Sequence, residues 1–130
     1  MNWKIIWELF LVFSRVALFS WGGGPASMGM MQREVVSAGW TTPEEFADAL
    51  AIGNALPGPI APQVSAYIGY KLAGLAGAVS AVTGTVLPTT LLMLVMVIFF
   101  FGIKDSPTVA AMLKAVRPVI VGLMLWTAYT

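Results

Sequence analysis

The chain has 130 residues, of which 58% are hydrophobic and 10% are charged, and its formal net charge is +1. A soluble domain carries about 25% charged residues and a short chain buries only part of its surface, so the composition argues against a soluble globule or a disordered chain. The small net charge gives no basic field for nucleic acid. With no cysteine or histidine, disulfides, thiol or imidazole catalysis and thiolate or imidazole metal sites are excluded. An integral membrane protein remains.

The first apolar segment runs from Ile5 to Trp21 and is long enough to predict a spanning helix. Arg15 lies near its middle, where insertion of an arginine costs about 2.5–3.5 kcal/mol. Such a residue usually faces a bundle interior or an aqueous path, so Arg15 is a candidate ligand for an anion. The alternative is a structural ion pair with an acidic residue such as Glu8 or Glu34.

A run of three glycines, Gly22, Gly23 and Gly24, follows this segment. Successive glycine N–H groups can form a concave nest that binds an anion. Alternatively, the glycines only end the helix. Residues 25–40 are predicted to form a loop or a short interfacial helix.

A helix start is predicted at Thr42. Thr42 suits the N-cap and Pro43 suits the first helical position, and Glu45, three positions after Thr42, completes a capping box. This helix must end before Pro57-Gly58-Pro59, since proline lacks an N–H and disfavours helix in the preceding residue. Its 14 residues, from Pro43 to Leu56, would be about 21 Å long, which is too short to span a bilayer. The pattern predicts a short amphipathic or re-entrant helix.

The break at Pro57, Gly58 and Pro59 is a candidate substrate site. Transporters use broken helices at mid-membrane, where helix N-termini offer free N–H groups and a positive dipole end to anions. The alternative is a tight turn outside the membrane.

The uncharged stretch of residues 72–103 would be about 48 Å long as one helix, which exceeds a hydrocarbon core of about 30 Å. It therefore predicts two helices, one from Val64 to Gly84 and one from Leu87 to Gly102. A last apolar segment runs from Thr108 to Thr130 and is interrupted at Arg117-Pro118. Together these segments predict an all-α integral membrane protein with about three to four spanning helices in one domain, residues 1–130.

Small residues recur at every fourth position: Gly69, Ala73, Gly77 and Ala81. Such a stripe lets another helix approach closely, so we expect it to mediate helix packing. Tyr67 and Lys71 lie at its start and are candidate ligands for an oxyanion. Anchoring at the membrane interface is the alternative for both.

The order and spacing of these motifs, from about Phe10 to Pro88, resemble the chromate ion transporter family. The elements that carry the resemblance are Gly22-Gly23-Gly24, Glu34-Val35, Trp40, Glu45-Phe46, Leu56-Pro57-Gly58-Pro59, Tyr67-Ile68-Gly69-Tyr70, Gly74-Leu75-Ala76-Gly77-Ala78 and Leu87-Pro88. Trp21 stands where the family usually has phenylalanine, Pro25 where a small residue is commoner, and a histidine often found beyond the glycines is absent. No role is carried over for that histidine.

The resemblance implies a single-domain half-transporter that exports chromate, a tetrahedral dianion, across the inner (plasma) membrane. It implies a multi-pass chain that pairs with itself or with a homologous half, and a protein that is not an enzyme and needs neither a cofactor nor a metal. Transport of sulfate and a non-transporting assembly subunit are the alternatives. Because the chain stops inside apolar sequence, we also expect a truncated chain or half of a larger transporter.

Overall fold

The computed structural model describes residues 2–20 and 25–129, and these residues form α-helices without any strand. The helices are α1 (Trp3–Phe19), α2 (Pro25–Ser37), α3 (Pro43–Ala55), α4 (Ile60–Ile103) and α5 (Pro107–Tyr129). The prediction of an all-α protein is confirmed. Residues 25–37, for which a loop or a short helix was expected, are helical.

Two helices of the described chain, α4 and α5, are long and apolar enough to cross a membrane. The other helices are shorter, with 17 residues in α1 and 13 each in α2 and α3. At 1.5 Å per residue, α1 is about 25 Å long and α3 about 20 Å. The number of three to four spanning helices stays a prediction.

A sharp bend divides α4 at Ala73 and Gly74. Gly74 has φ +63° and ψ −150°, a backbone conformation that is essentially restricted to glycine. The bend separates a first segment of α4, residues 60–72, from a second segment, residues 75–103. The prediction of one uninterrupted helix from Val64 to Gly84 is therefore wrong, because Gly74 breaks it.

The predicted interruption between Gly84 and Leu87 is also wrong, since the second segment of α4 stays helical through Pro88. Proline removes one backbone hydrogen bond from a helix. In an uncharged segment suited to lipid, the remaining backbone groups still bond best within the helix, and membrane helices tolerate proline for this reason.

The chain divides into two compact units, an N-terminal unit (Met1–Leu91) and a C-terminal unit (Leu92–Thr130). The buried apolar side chains lie in the N-terminal unit and come from α1, α2, α3 and α4. The largest of those that are fully buried are Leu9, Phe13, Val16, Met31, Val35, Val64 and Ile68, and Phe46 of α3 is also buried. In the C-terminal unit, no described residue of α5 is buried.

Within the N-terminal unit, the second segment of α4 crosses α1 at very close range. A Cβ atom placed on Gly84 would lie 2.7 Å from the carbonyl oxygen of Phe10. The Ser80 hydroxyl donates a hydrogen bond of 2.6 Å to the carbonyl oxygen of Ile6. Small residues thus allow the backbones of the two helices to touch.

Candidate functional site

A short helical hairpin contains the Pro57-Gly58-Pro59 motif at its tip. We call α3, the connecting residues 56–59 and the first segment of α4 the proline hairpin. Leu56 ends α3 in an extended conformation, and α4 begins at Ile60. Gly58 has φ +125°, which glycine adopts without the steric cost of a Cβ atom.

Gln63 holds the tip of the proline hairpin together. Its Nε2 donates a 3.0 Å hydrogen bond to the carbonyl oxygen of Pro57, while its Oε1 is buried without a partner among the described residues. A Cβ atom on Gly53 would lie 3.3 Å from Cγ2 of Val64, so the two helices touch near the tip. Sequence reasoning missed Gln63; the available signal was one amide side chain a turn after Pro59 in an apolar stretch.

The open end of the proline hairpin is closed by an ion pair. Lys71 Nζ lies 2.6 Å from Glu45 Oε2, which joins the first turn of α3 to the end of the first segment of α4. The Thr42 N–H donates to the same Oε2 at 3.1 Å, and the Glu45 N–H donates to Thr42 Oγ1 at 3.2 Å. The predicted capping box is confirmed.

The electrostatics of this end follow from its contacts. The hydrogen bond from Lys71, and secondarily the one from the Thr42 N–H, lower the pKa of Glu45 below its ordinary value of 4.5. Both donors favour the ionised carboxylate. At neutral pH the two arms of the proline hairpin are therefore joined by opposite charges.

Arg15 is held by α2. Its Nη2 lies 2.9 Å from Glu34 Oε2, and the two side chains are 58% and 27% exposed. Since α1 ends at Phe19, Arg15 is one turn from the helix end rather than at the middle. The contact is the ion pair that sequence reasoning kept as the alternative to anion binding, and an incoming oxyanion would have to compete with this carboxylate.

The small-residue stripe brings Gly69 and Gly77 into backbone contact across the bend in α4. A Cβ atom on Gly69 would collide with the carbonyl of Gly77, and one on Gly77 would collide with the carbonyl of Gly69. Ala81 is buried and Ala73 is partly buried. This close approach occurs between two segments of one chain.

The remaining predicted site residues are not gathered into one cluster. Tyr67 is 40% exposed. Among the described residues, no hydrogen bond or ion pair links Arg15 or Lys71 to Pro57-Gly58-Pro59. Gly22, Gly23 and Gly24 lie outside the described residues, and the anion nest there stays a prediction.

Comparison with known protein families gives a match for this sequence. The model of a family described as "Chromate transporter" matches residues 7–130. The chain belongs to the chromate transporter family. Together with the apolar helices α4 and α5, membership in this family makes the chain a membrane protein.

Three relatives illustrate the similarity. The chain is 40% identical to "Uncharacterized transporter YwrA" and 40% identical to "Uncharacterized transporter YwrB", both of Bacillus subtilis (strain 168), over 90% and 88% of its length. It is 35% identical over 75% of its length to "Chromate transport protein" of Pseudomonas aeruginosa. It spans 66%, 59% and 24% of these three proteins, respectively. No solved structure matches the chain.

Proposed function

We propose that the chain is one half of a secondary transporter that exports chromate, or a related tetrahedral oxyanion, from the cytoplasm. The observation that carries this proposal is the family match, which extends over residues 7–130. The similarity to a "Chromate transport protein" supports chromate as the first substrate to test. A transporter of this kind carries an ion without covalent chemistry, so we propose no enzymatic activity.

The shape of the proline hairpin supports a re-entrant site. Its α3 arm has 13 residues, about 20 Å, which is shorter than a hydrocarbon core of about 30 Å. The Glu45–Lys71 pair holds both arm ends together, so both arms would enter the membrane from one side. Pro57, Gly58 and Pro59 would then lie within the membrane, where the first N–H groups of α4 and its positive dipole end favour an anion.

Arg15, Lys71 and Tyr67 are proposed side-chain ligands for an oxyanion at points of its path other than the hairpin tip, since Lys71 lies at the opposite end of the proline hairpin. Both cations are neutralised by carboxylates, Arg15 by Glu34 and Lys71 by Glu45. An oxyanion would bind by exchange, taking the place of a carboxylate at the guanidinium or ammonium group. A guanidinium suits such an exchange because its planar fork binds carboxylates and tetrahedral oxyanions with the same donors.

We propose that two halves form the working transporter, either two copies of this chain or this chain and a homologous half. With three to four spans, one copy provides little protein to enclose a path for a hydrated dianion. The proposed location is the inner (plasma) membrane, as a multi-pass protein. Sulfate, which shares the charge and geometry of chromate, is the alternative substrate.

Chromate accumulation in cells tests this proposal. Cells without other chromate exporters would express the chain alone, the chain with a homologous half, or no transporter, with membrane protein levels measured in parallel. We expect lower accumulation with the chain, alone or paired, and competition by sulfate in inside-out vesicles. Unchanged accumulation in every combination at normal protein levels would refute a transport role.

A second candidate function is a non-transporting assembly subunit. The observation that favours it is that Arg15 and Lys71 are both engaged in ion pairs within the chain, as scaffold residues would be. In that case, neutralising both members of a pair together would leave chromate accumulation unchanged, while neutralising one member alone would disturb folding.

A further inference from the structure

Two basic residues lie inside α5, a helix that the proposed N-terminal site does not use. Lys114 and Arg117 are seven and ten residues after Pro107, the first residue of α5, which ends at Tyr129. At 1.5 Å per residue, Arg117 is about 15 Å from the start of the helix and about 18 Å from Tyr129. If α5 spans the bilayer, Arg117 is near the midplane.

These two cations share one face of α5. Residues three apart on a helix have Cβ atoms about 5–6 Å apart, so the ammonium and the guanidinium can reach one ligand together. Both residues are exposed in the described chain, and no residue of α5 is buried. A face with two charges cannot lie against lipid without a large desolvation cost, so in the membrane it must meet an anion, a carboxylate or water.

The C-terminal unit provides almost no negative charge to neutralise them. Asp105 is its single acidic side chain, and it lies in the turn before α5, nine residues from Lys114. The ion pairs among the described residues, Arg15–Glu34 and Lys71–Glu45, are both in the N-terminal unit. Within α5, therefore, two positive charges remain uncompensated.

We propose that Lys114 and Arg117 form a binding site for a divalent tetrahedral oxyanion on α5. The inference rests on the proposed transport function. Two cations balance the two charges of the ligand, the guanidinium provides a planar pair of donors and the ammonium a point charge. Unlike Arg15 and Lys71, these groups bind the ligand without first releasing a carboxylate.

Ligand-dependent stability of the purified protein in detergent tests the site. Sulfate and chromate are titrated against chloride at constant ionic strength, and the melting temperature is followed. We expect Lys114→Gln and Arg117→Gln each to raise the half-saturating sulfate concentration about tenfold or more, the loss expected for one charged hydrogen bond. The matched control is Lys104→Gln, which removes the same charge from a turn where Lys104 contacts the ring of Phe101. This variant should change the half-saturating sulfate concentration by no more than about twofold.

Conservative variants distinguish a loss of binding from a loss of folding. Lys114→Arg keeps a donor group and should keep binding within a few-fold, whereas Arg117→Lys should weaken it because the fork is lost. Unchanged half-saturation in the Lys114→Gln/Arg117→Gln double variant would overturn the site. The site would also be overturned if the double variant changed the oligomer mass measured by light scattering while the half-saturating sulfate concentration stayed the same. In that case a carboxylate of a second copy would be the partner of these cations.

Vesicle transport separates this inference from the proposed function. If the wild-type chain, alone or paired, transports chromate and the double variant transports it equally well, the α5 site is wrong and the proposed function stands. If the wild-type protein neither transports chromate nor responds to sulfate or chromate beyond chloride, both are wrong.

Discussion

Replacement of Gly77 by alanine should destabilise the chain, although alanine is the better helix former. The backbones of Gly69 and Gly77 touch across the bend in α4. A Cβ atom on Gly77 would collide with the carbonyl of Gly69 and would lie 2.8 Å from the Cβ of Ala73. Neither group is the end of a flexible side chain, so the two segments of α4 would have to separate.

The magnitude follows from two opposing effects. Inserting a methyl group into a closely packed contact costs about 1–3 kcal/mol. Alanine in place of glycine within a helix recovers roughly 0.5–1 kcal/mol. Subtracting the second range from the first gives a net loss of up to about 2.5 kcal/mol. Because the colliding group is a backbone carbonyl, we expect about 1–2 kcal/mol, roughly a 5- to 30-fold shift toward the unfolded state. Gly77→Leu should be worse, because its side chain cannot be accommodated by a small displacement.

Reversible unfolding in mixed detergent micelles measures this effect, with Gly29→Ala as the matched control. Gly29 is also helical, in α2, and a Cβ atom there would have no neighbour within 4 Å. Gly29→Ala should leave the free energy of unfolding unchanged or slightly raised. Equal stabilities for Gly77→Ala and Gly29→Ala would refute the contact. A change in dimer mass without a change in monomer stability would instead show that the stripe packs against a second chain.

Three further predictions concern the N-terminal unit. Replacing Pro57 and Pro59 by alanine should favour a continuous helix and abolish chromate efflux at normal membrane levels; wild-type efflux would remove the break from the site. Arg15→Gln should reduce efflux while Arg15→Lys keeps part of it, and recovery on adding Glu34→Gln would show that the pair is only structural. Because the pKa of Glu45 is lowered, the stabilisation from its ion pair is present above the ordinary value of 4.5 and is lost as the pH falls through the lower folded value. The difference in melting temperature between wild type and Glu45→Gln should therefore disappear in acid, and a difference independent of pH would contradict it.

Features set by neighbouring residues could be predicted from the sequence. The capping box needs only Thr42 and Glu45, three positions apart, and the structure contains both of its hydrogen bonds. The all-α class follows as directly, since long uncharged runs in lipid must bond their backbones internally. These predictions did not require knowing which helices pack against each other.

Features set by distant residues could not be predicted in the same way. The spacing of Gly69 and Gly77 suits a stripe on a straight helix as well as a contact across a bend, and only the conformation of Gly74 distinguishes them. Arg15 pairs with a residue 19 positions away. From the sequence, Glu8 and Glu34 were both candidates to balance Arg15, although Glu8 lies about 10.5 Å away along the same helix. The interruption predicted near Pro88 was wrong because membrane helices tolerate a proline that would break a helix in water.

Charge compensation divides the four candidate ligand cations, Arg15, Lys71, Lys114 and Arg117, into two groups. Arg15 and Lys71 are each balanced by a carboxylate of the same unit, so removing one of them also leaves an unpaired acid and disturbs the fold. Lys114 and Arg117 have no such partner within α5, so removing them should affect ligand binding far more than folding. A cation whose role is only structural is rescued by neutralising its acid, whereas a cation that binds the substrate is not. If Arg117→Gln can be rescued by a substitution at an acidic residue, α5 belongs with the scaffold; if Arg15→Gln cannot be rescued at Glu34, Arg15 belongs with the oxyanion site.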